Sequence, residues 1–362
     1  MILLPPRSTK IRSSAASYVY HRQDVVKPAD KTVVKNPELL TEAEKKAIED
    51  KVRAVNPKDS TVVVDEKGNV TVTPKGGEPA VIPASDLTKS EAQTKEPKAG
   101  NDIVKPADKV VVEAGKPVDK EAIAAKVAAV NPKGSTVVVD DEGNATVTTP
   151  EGKTAVIPAS DLTKTPEEAA KSNAGNDIVK PADKVVVEAG KPVDKEAIAA
   201  KVAAVNPKGS TVVVDDEGNA TVTTPEGKTA VIPASDLTKS AADAAKPNAG
   251  NDIVKPADKT VVANPEKLTD AEKKAIEDKV KAVNPGAEVF VDDKGNATVV
   301  KDGNVSVIPS TDLVKVQDDA TKPNGGNDAN TPAAKTVVKD PANLTDEEKA
   351  KVKKAVEAVN PG

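Results

Sequence analysis

The 362-residue chain contains no cysteine and no tryptophan, and it has only one histidine, one methionine, one phenylalanine and two tyrosines. Without cysteine there is no disulfide bond, no thiolate metal site and no iron–sulfur cluster. A single histidine excludes histidine-based metal cages, and no Gly-rich phosphate-binding loop is present. The chain is acidic, with a formal net charge of −5, and lacks the basic and aromatic pattern of nucleic-acid-binding proteins. We therefore expect no enzyme, no cofactor and no nucleic-acid partner.

The first 23 residues differ from the rest of the chain. Residues 1–22 carry four basic and no acidic side chains, so their charge is +4 and that of the remainder is −9 (−5 minus +4). A secretory signal needs an apolar stretch of about 7–15 residues, but here the apolar run 2–4 ends at Pro5. We interpret residues 1–23 as a disordered, non-repeat flanking segment. No later stretch reaches the ~18 apolar residues of a membrane span.

A four-residue motif, Lys-Pro-Ala-Asp, recurs along the chain and begins at Lys27, Lys105, Lys180 and Lys255. A second motif, Asn-Pro, recurs in step with it and begins at Asn56, Asn131, Asn206, Asn284 and Asn360. Residues 99–164 and 174–239 are identical, at an offset of 75 residues (174 − 99). Such repetition indicates a unit that is used for its number, as length or as valency, rather than as an active site.

Each repeat contains the pattern of a strand, a helix and a hairpin segment. In the first repeat Thr41 and Glu44 match a capping box, and Ile48, Val52 and Val55 recur at helical spacing. The helix is predicted to end at Asn-Pro, because proline has no amide hydrogen. Alternating apolar residues around Asp/Gly turns then predict a three-stranded antiparallel meander. The predicted fold class is α+β, with small modules of strand, helix and meander joined by polar linkers as beads on a string.

The domain organisation follows from this pattern. Four repeats are predicted at 24–89, 103–164, 178–239 and 253–315, with a truncated fifth repeat at 331–362. Polar linkers are predicted at 90–102, 165–177, 240–252 and 316–330. These units are called repeats 1 to 5 below. Because the fifth copy stops after its helix, we expect the chain to be a fragment that lacks both natural ends.

Acidic hairpin turns are weak candidates for a metal site. Ca²⁺ prefers clustered carboxylates on loops, and three of the turns contain two adjacent aspartates. These candidates are Asp140, Asp141, Asp215, Asp216, Asp292 and Asp293. The turns lack the alternating ligand spacing of calcium loops, and a hairpin turn itself favours Asp and Gly. Turn formation is therefore the preferred interpretation, and no catalytic or cofactor-binding residue is predicted.

A longer motif carries a family resemblance. The run Asn144 to Lys153, followed by Val156-Ile157-Pro158, resembles the TVTVTYPDGS…VP signature of the Rib/alpha-like repeats of Gram-positive cell-wall-anchored surface proteins. Members of that family fold as an Ig-like sandwich. Thr149 stands where the family usually has tyrosine, and the helix is longer than such a domain implies, so the α+β fold is kept as the prediction.

The resemblance also implies a location and partners. It implies an extracellular, wall-attached adhesin whose tandem repeats act as a spacer, although the chain shows no signal peptide or sorting motif. Attachment to cell-wall peptidoglycan would depend on a missing C-terminal region, and contact with a host extracellular protein or glycan would depend on a missing binding region.

Two functions are kept as hypotheses. The first is a structural stalk that projects an adhesive domain from the cell wall. The second is a multivalent array in which each repeat weakly binds a host protein or polysaccharide, and the scarcity of aromatic residues counts against it. A covalent Lys–Asn isopeptide bond inside each module is a further possibility, which a reduced molecular mass would reveal.

Overall fold

The computed structural model describes residues 25–322, 324–332 and 334–360. The predicted disordered segment 1–23 lies outside the described residues. Repeats 1 to 4 share one fold, and the predicted order of strand, helix and three-stranded antiparallel sheet is confirmed in each of them. The fold class is therefore α+β.

A long helix forms the first layer of each repeat. In repeat 1 the Thr41 hydroxyl accepts from the Glu44 amide and the Glu44 carboxylate accepts from the Thr41 amide, which confirms the capping box. Ile48 and Val52, on the same helical stripe, are 1% and 0% exposed. The long helices that the structure describes span Glu42–Val55, Lys120–Val130, Lys195–Val205, Asp270–Val283 and Asp346–Glu357.

The second layer is the meander, whose apolar face packs on the helix. In repeat 1 Val62 pairs with Val72, Val70 pairs with Ile82, and all four belong to one core cluster with the helical residues. The strands of repeats 1 and 2 span Thr61–Val64, Val70–Thr73 and Ala80–Ile82, then Thr136–Val139, Ala145–Thr148 and Thr154–Ile157. Those of repeats 3 and 4 span Thr211–Val214, Ala220–Thr223 and Thr229–Ile232, then Glu288–Val291, Ala297–Lys301 and Asn304–Ile308.

A short helix and a last strand close each of repeats 1 to 4, and the sequence did not predict them. The short helices span Ala84–Leu87, Ala159–Leu162, Ala234–Leu237 and Ser310–Leu313. The last strand pairs in parallel with the first strand of the same repeat. These pairs are Thr32–Val34 with Thr88–Ser90, Val110–Val111 with Thr163–Lys164, Val185–Val187 with Thr238–Ser240, and Thr260–Val261 with Val314–Lys315. A four-residue helix is too short to show a hydrophobic period, and parallel pairing of distant segments leaves no local signal.

Repeat 5 has only its long helix as regular structure among the described residues. The segment 335–338, which corresponds in sequence to the first strand of the other repeats, forms no strand, and Val337 is 92% exposed. In repeats 1 to 4 this strand pairs with the strand after the meander, for which 331–362 has no counterpart.

The repeats are not separate beads, so the predicted beads-on-a-string arrangement is wrong for repeats 1 to 4. Backbone hydrogen bonds and apolar contacts join repeat 1 to repeat 2, repeat 2 to repeat 3 and repeat 3 to repeat 4. The polar segments between them are also ordered in part, since 92–95 form a 3-10 helix and Asn101 is buried. The physical reason is the Lys-Pro-Ala-Asp motif, which leaves its own repeat and packs on the following one.

Candidate functional site at the junctions between repeats

The asparagine of the Asn-Pro motif fixes the start of each repeat. Asn56 Oδ1 accepts from the Val26 amide at 3.0 Å, and Asn56 Nδ2 donates to the carbonyl oxygens of Val26 and Val52 at 2.8 and 2.9 Å. The asparagine therefore lies at the end of the helix, as predicted, and also binds the backbone at the start of the repeat. The corresponding residues with the same contacts are Asn131, Asn206, Asn284 and Asn360.

The Lys-Pro-Ala-Asp motif adds a short parallel strand to the meander of the next repeat. The Ala29 amide donates to the Val156 carbonyl and the Val156 amide donates to the Lys27 carbonyl, both at 3.0 Å. Pro28 lies opposite Val156. Because the residues on either side of Pro28 make these bonds, its missing amide hydrogen removes none of them. The same pairing joins Pro106 to Val231 and Pro181 to Val307.

The alanine of the motif packs in the core of the neighbouring repeat. Ala29 is 8% exposed and lies in a cluster with Ile103 and Ile123 of repeat 2. Ala182 is 9% exposed in the core of repeat 4, and Ala107 packs against the core of repeat 3. A larger side chain at these positions would overpack a filled core. The junction therefore combines backbone pairing with apolar burial.

The aspartate of the motif holds a buried lysine. The Lys89 side chain is 0% exposed, and its Nζ lies 3.3 Å from Asp30 Oδ1. Lys51 Nζ donates to Asp30 Oδ2 at 2.7 Å, and Asn101 Nδ2 donates to Asp30 Oδ1 at 3.2 Å. Asn101 Oδ1 also accepts from the Lys31 amide at 3.1 Å. Asn101 belongs to the predicted linker 90–102, so this linker is tied to the repeat that precedes it.

The same four-residue cluster recurs in repeats 2 to 4. It consists of Asp108, Lys126, Lys164 and Asn176, of Asp183, Lys201, Lys239 and Asn251, and of Asp258, Lys279, Lys315 and Asn327. We call it the Asp-Lys-Lys-Asn cluster. In these three copies the buried lysine also donates to the asparagine Oδ1, at 3.0, 3.0 and 2.9 Å.

The charges of the cluster stabilise one another. Burial alone would raise the pKa of Asp30, but the ammonium groups of Lys51 and Lys89 outweigh it and lower that pKa to about 2. Burial lowers the pKa of Lys89, although the attraction of Asp30 opposes the shift. The pKa values of Asp108 and Lys164 are lowered for the same reasons. A carboxylate held ionised between two ammonium groups is typical of a structural ion pair.

This cluster is also where a Lys–Asn isopeptide bond would form. Lys164 Nζ lies 3.0 Å from Asn176 Oδ1, and Asp108 Oδ1 contacts both side chains. Such a bond would link the last strand of repeat 2 to the segment after it rather than two strands inside the module. Isopeptide formation stays a prediction, for which intact mass is the measurement.

The six aspartates named as weak metal candidates lie in the hairpin turns. Asp140 caps its turn, since its carboxylate accepts from the amides of Glu142 and Asn144 at 3.1 and 2.8 Å. Asp141 lies 2.6 Å from Lys120 Nζ. The corresponding contacts are made by Asp215, Asp216, Asp292 and Asp293. The structure brings no three His, Asp or Glu side chains together as a metal site within the described ranges. A metal at these turns stays a weak prediction.

Grooves lie beside the junctions. The groove between repeats 3 and 4 has a volume of about 690 Å³, and Ala182, Lys201 and Asp312 are among its lining residues. A second groove, of about 530 Å³, lies beside the first junction and includes Pro28 and Lys228. The junction motif therefore lines both grooves. None of the helices in the described part of the chain has the length and apolar character needed to cross a bilayer.

The repeated fold and its recurring junction define a tandem array of small α+β domains. The chain belongs to the atypical Rib domain family, which matches residues 23–91, 101–166, 176–241, 251–317 and 327–362. The resemblance to Rib-like repeats is thereby confirmed, and the chain is a repeat region of the surface-protein type.

The chain has only distant likeness to solved adhesin structures. No curated protein sequence matches the chain. The sialic acid binding region of a Streptococcus sanguinis SK1 adhesin is 19% identical, with 73% of this chain and 77% of that chain covered and a TM-score of 0.18. The SrpA adhesin of Streptococcus sanguinis is 14% identical, with 61% and 95% covered and a TM-score of 0.18. At these values the likeness is distant.

Proposed function

We propose that the chain is the spacer of a bacterial surface protein, a stalk that projects an adhesive domain from the cell wall. The observation that supports this role is the junction, which recurs between repeats 1 and 2, 2 and 3, and 3 and 4 with the same backbone pairing. A head-to-tail contact that is repeated without closing generates an open stack. The length of such a stack grows with the number of repeats.

Further contacts favour a stiff spacer over a flexible tether. Asn101 bonds Asp30 and the Lys31 amide, which restricts rotation at the start of repeat 2. The Lys98 amide donates to Thr221 Oγ1 at 3.0 Å, which connects the segment after repeat 1 to repeat 3. Each repeat that is held by its neighbours in this way has less freedom to bend, so the number of repeats sets reach rather than flexibility.

Wall attachment and adhesion belong, in this proposal, to other parts of the protein. Those parts would be joined to peptidoglycan on one side and would bind a host extracellular protein or glycan on the other. The spacer itself needs no catalytic or cofactor-binding residue. Its location would be extracellular.

A repeat deletion tests the spacer role. Removing residues 99–173 joins Lys98 to Ala174 and leaves every remaining junction sequence unchanged, because 99–164 and 174–239 are identical. We expect small-angle X-ray scattering to show a shorter maximum dimension by one repeat increment. The control is Ala107→Arg in the full chain, which overpacks one junction and should broaden the distance distribution without shortening the chain. An unchanged maximum dimension after the deletion would refute the spacer.

The grooves favour a second candidate, the multivalent binding array. Because a groove recurs at more than one junction, a host protein or polysaccharide that fits it would bind several times per chain. The same deletion distinguishes this function, since avidity for an immobilised polysaccharide or host protein should fall steeply with one junction fewer. Equal weak binding by both chains, or none, would reject it.

A further inference from the structure

Repeats 1 and 3 touch each other although repeat 2 lies between them in the chain. Lys89, on the last strand of repeat 1, has its Nζ 3.4 Å from Thr229 Oγ1 of repeat 3. One groove is lined by Ala47 of repeat 1, Pro158 of repeat 2 and Lys228 of repeat 3. A straight end-to-end stack would hold repeats 1 and 3 apart by the whole of repeat 2. These three repeats are therefore coiled.

The same arrangement recurs one repeat further along. Another groove is lined by Ala125 of repeat 2, Ile232 of repeat 3 and Val305 of repeat 4. Thr298 of repeat 4 occupies the position of Thr221 in repeat 3, and these two residues are 3% and 4% exposed. The coil is thus a property of the repeated unit and not of one place in the chain.

The segment after repeat 1 contributes to this contact, and residues 91–101 are called the first clasp below. At the corner of the clasp the Lys98 amide donates to Thr221 Oγ1 of repeat 3 at 3.0 Å, and Ala99 is 0% exposed. The end of the clasp is tied to the Asp-Lys-Lys-Asn cluster of repeat 1. The first clasp is therefore held by repeat 1 and binds repeat 3.

The segment after repeat 2 has the same form, and residues 166–176 are called the second clasp. Ala174 corresponds to Ala99, and the two residues have left-handed φ angles of 50° and 45°. Ala174 is 1% exposed. A left-handed φ is unfavourable for alanine, so such a corner needs contacts that hold it. The burial of both alanines supplies these contacts.

The clasp contact lacks the strand pairing that joins neighbouring repeats. Two backbone hydrogen bonds of 3.0 Å join repeat 1 to repeat 2, whereas no backbone-to-backbone hydrogen bond joins repeat 1 to repeat 3 among the described residues. The first clasp has one amide-to-hydroxyl bond and one small buried side chain, beside the contact of Lys89 with Thr229. Because fewer hydrogen bonds hold it, we expect the clasp to open before the junctions when the array is pulled.

We propose that the clasps keep the array coiled at rest and release it under tension. Opening a clasp leaves the junctions between neighbours closed and lets three repeats straighten, so the chain lengthens without unfolding any repeat. The clasp closes again when the tension is removed, because its two halves remain tethered to each other. This inference goes beyond the spacer role, because it makes the reach of the stalk depend on force as well as on the number of repeats.

Substitutions at the corners separate the clasps from the junctions. Ala99→Arg and Ala174→Arg each place a long charged side chain where the closed clasp buries a methyl group. Ala249→Arg is the matched control, because Ala249 occupies the same corner after repeat 3, with a φ of 49°, and is exposed. Thr221→Val removes only the hydroxyl that accepts from the first clasp.

The test is magnetic-tweezers stretching of the full chain, held at its two ends and cycled at low force. The parent should show two small reversible lengthening steps before the larger steps in which whole repeats unfold. Ala99→Arg should lose one small step, its combination with Ala174→Arg should lose both, and Ala249→Arg should keep both. Thr221→Val should keep both, with one of them at a lower force than in the parent. An unchanged number of later unfolding steps shows that a variant is folded.

Small-angle X-ray scattering gives a second readout without load. The maximum dimension should increase from the parent to Ala99→Arg and again to the double variant, whereas Ala249→Arg should match the parent. A parent that lengthens only by unfolding whole repeats, clasp variants that keep both small steps, or a control that loses one would overturn the proposal. If an arginine variant loses an unfolding step, Thr221→Val decides, because step forces equal to those of the parent would also overturn it.

Discussion

Repeats 2 and 3 have the same sequence over residues 99–164 and 174–239, yet their sheets lie in different surroundings. Thr154 on the third meander strand of repeat 2 is exposed, whereas Thr229 at the same position of repeat 3 is 2% exposed. The helix-facing residues do not differ in this way, since Ala155 and Ala230 are each 4% exposed. Identical sequences therefore build identical cores, and the position in the array decides what happens to the outer face.

Repeat 1 and the segment after it cause this difference. The Lys98 amide donates to Thr221 Oγ1 of repeat 3 at 3.0 Å, and Lys89 Nζ lies 3.4 Å from Thr229 Oγ1. Thr146, which corresponds to Thr221, is only half-buried in repeat 2. The Asp-Lys-Lys-Asn cluster also differs with its position in the array, because the exposed fraction of its aspartate side chain rises along the chain. The values are 15% for Asp30, 24% for Asp108, 41% for Asp183 and 54% for Asp258.

The largest expected effect comes from removing this aspartate at the two extremes of the gradient. Asp30→Ala leaves Lys89 as a buried charge without its partner and should destabilise repeat 1 by about 3–5 kcal/mol. Asp258→Ala, at a half-exposed site, should destabilise repeat 4 by about 1 kcal/mol or less. Hydrogen exchange with mass spectrometry measures both, because the long helices of repeats 1 and 4 differ in sequence.

A double variant controls for the unpaired charge. Asp30→Ala combined with Lys89→Met replaces the buried charge by an apolar side chain of similar length and should recover most of the lost protection. Equal destabilisation by Asp30→Ala and Asp258→Ala would mean that the contribution of the cluster to stability does not depend on its position in the array.

Acid should reduce the stability that the ion pairs of Asp30 give to repeat 1. The folded pKa of Asp30 is lowered from 3.8 to about 2, so its contribution is complete above about pH 4 and is lost as the pH falls toward 2. The shift corresponds to about 2 kcal/mol. Urea unfolding of the parent and of Asp30→Ala should therefore differ most at neutral pH, and the difference should shrink at a pH of about 2. A difference that grew on acidification would contradict the assigned ion pair.

Single cysteines test the outer faces directly, because the natural chain has no cysteine. Thr154→Cys should react rapidly with a thiol reagent, whereas Thr229→Cys should react about tenfold or more slowly, since burial protects it until the site opens. Deleting residues 99–173 moves repeat 3 to the second position and should make Thr229→Cys reactive. Equal labelling rates in the full chain would show that the two faces are alike.

The repeat fold was predictable because its signals are local. The capping box of Thr41 and Glu44, and the alternation of Val70 and Val72 with threonine, each fix an element from a few neighbouring residues. The family resemblance rested on the same meander.

The junction was not predictable by these means. Pro28 and Val156 are far apart in the chain, and their parallel pairing has no local pattern. Lys89 lies in a polar run, and only the tertiary fold shows that its side chain is buried beside Asp30. The recurrence of Lys-Pro-Ala-Asp was the available signal, and it gave the period of the array without the role of the motif.

The smallest expected effect comes from removing one threonine hydroxyl group at the same position of the two identical meanders. Thr221→Val removes the acceptor of the Lys98 amide at a buried site and should lower the free energy of unfolding by about 1–2 kcal/mol. Thr146→Val, the same substitution in repeat 2, removes no such bond, and valine suits a strand at least as well as threonine. Its effect should lie within about 0.5 kcal/mol of zero. Urea unfolding of the two variants measures the difference, which depends only on whether the segment after repeat 1 covers the sheet. Equal destabilisation would mean that the contact between Lys98 and repeat 3 contributes nothing in solution, and that the second and third positions of the array are equivalent.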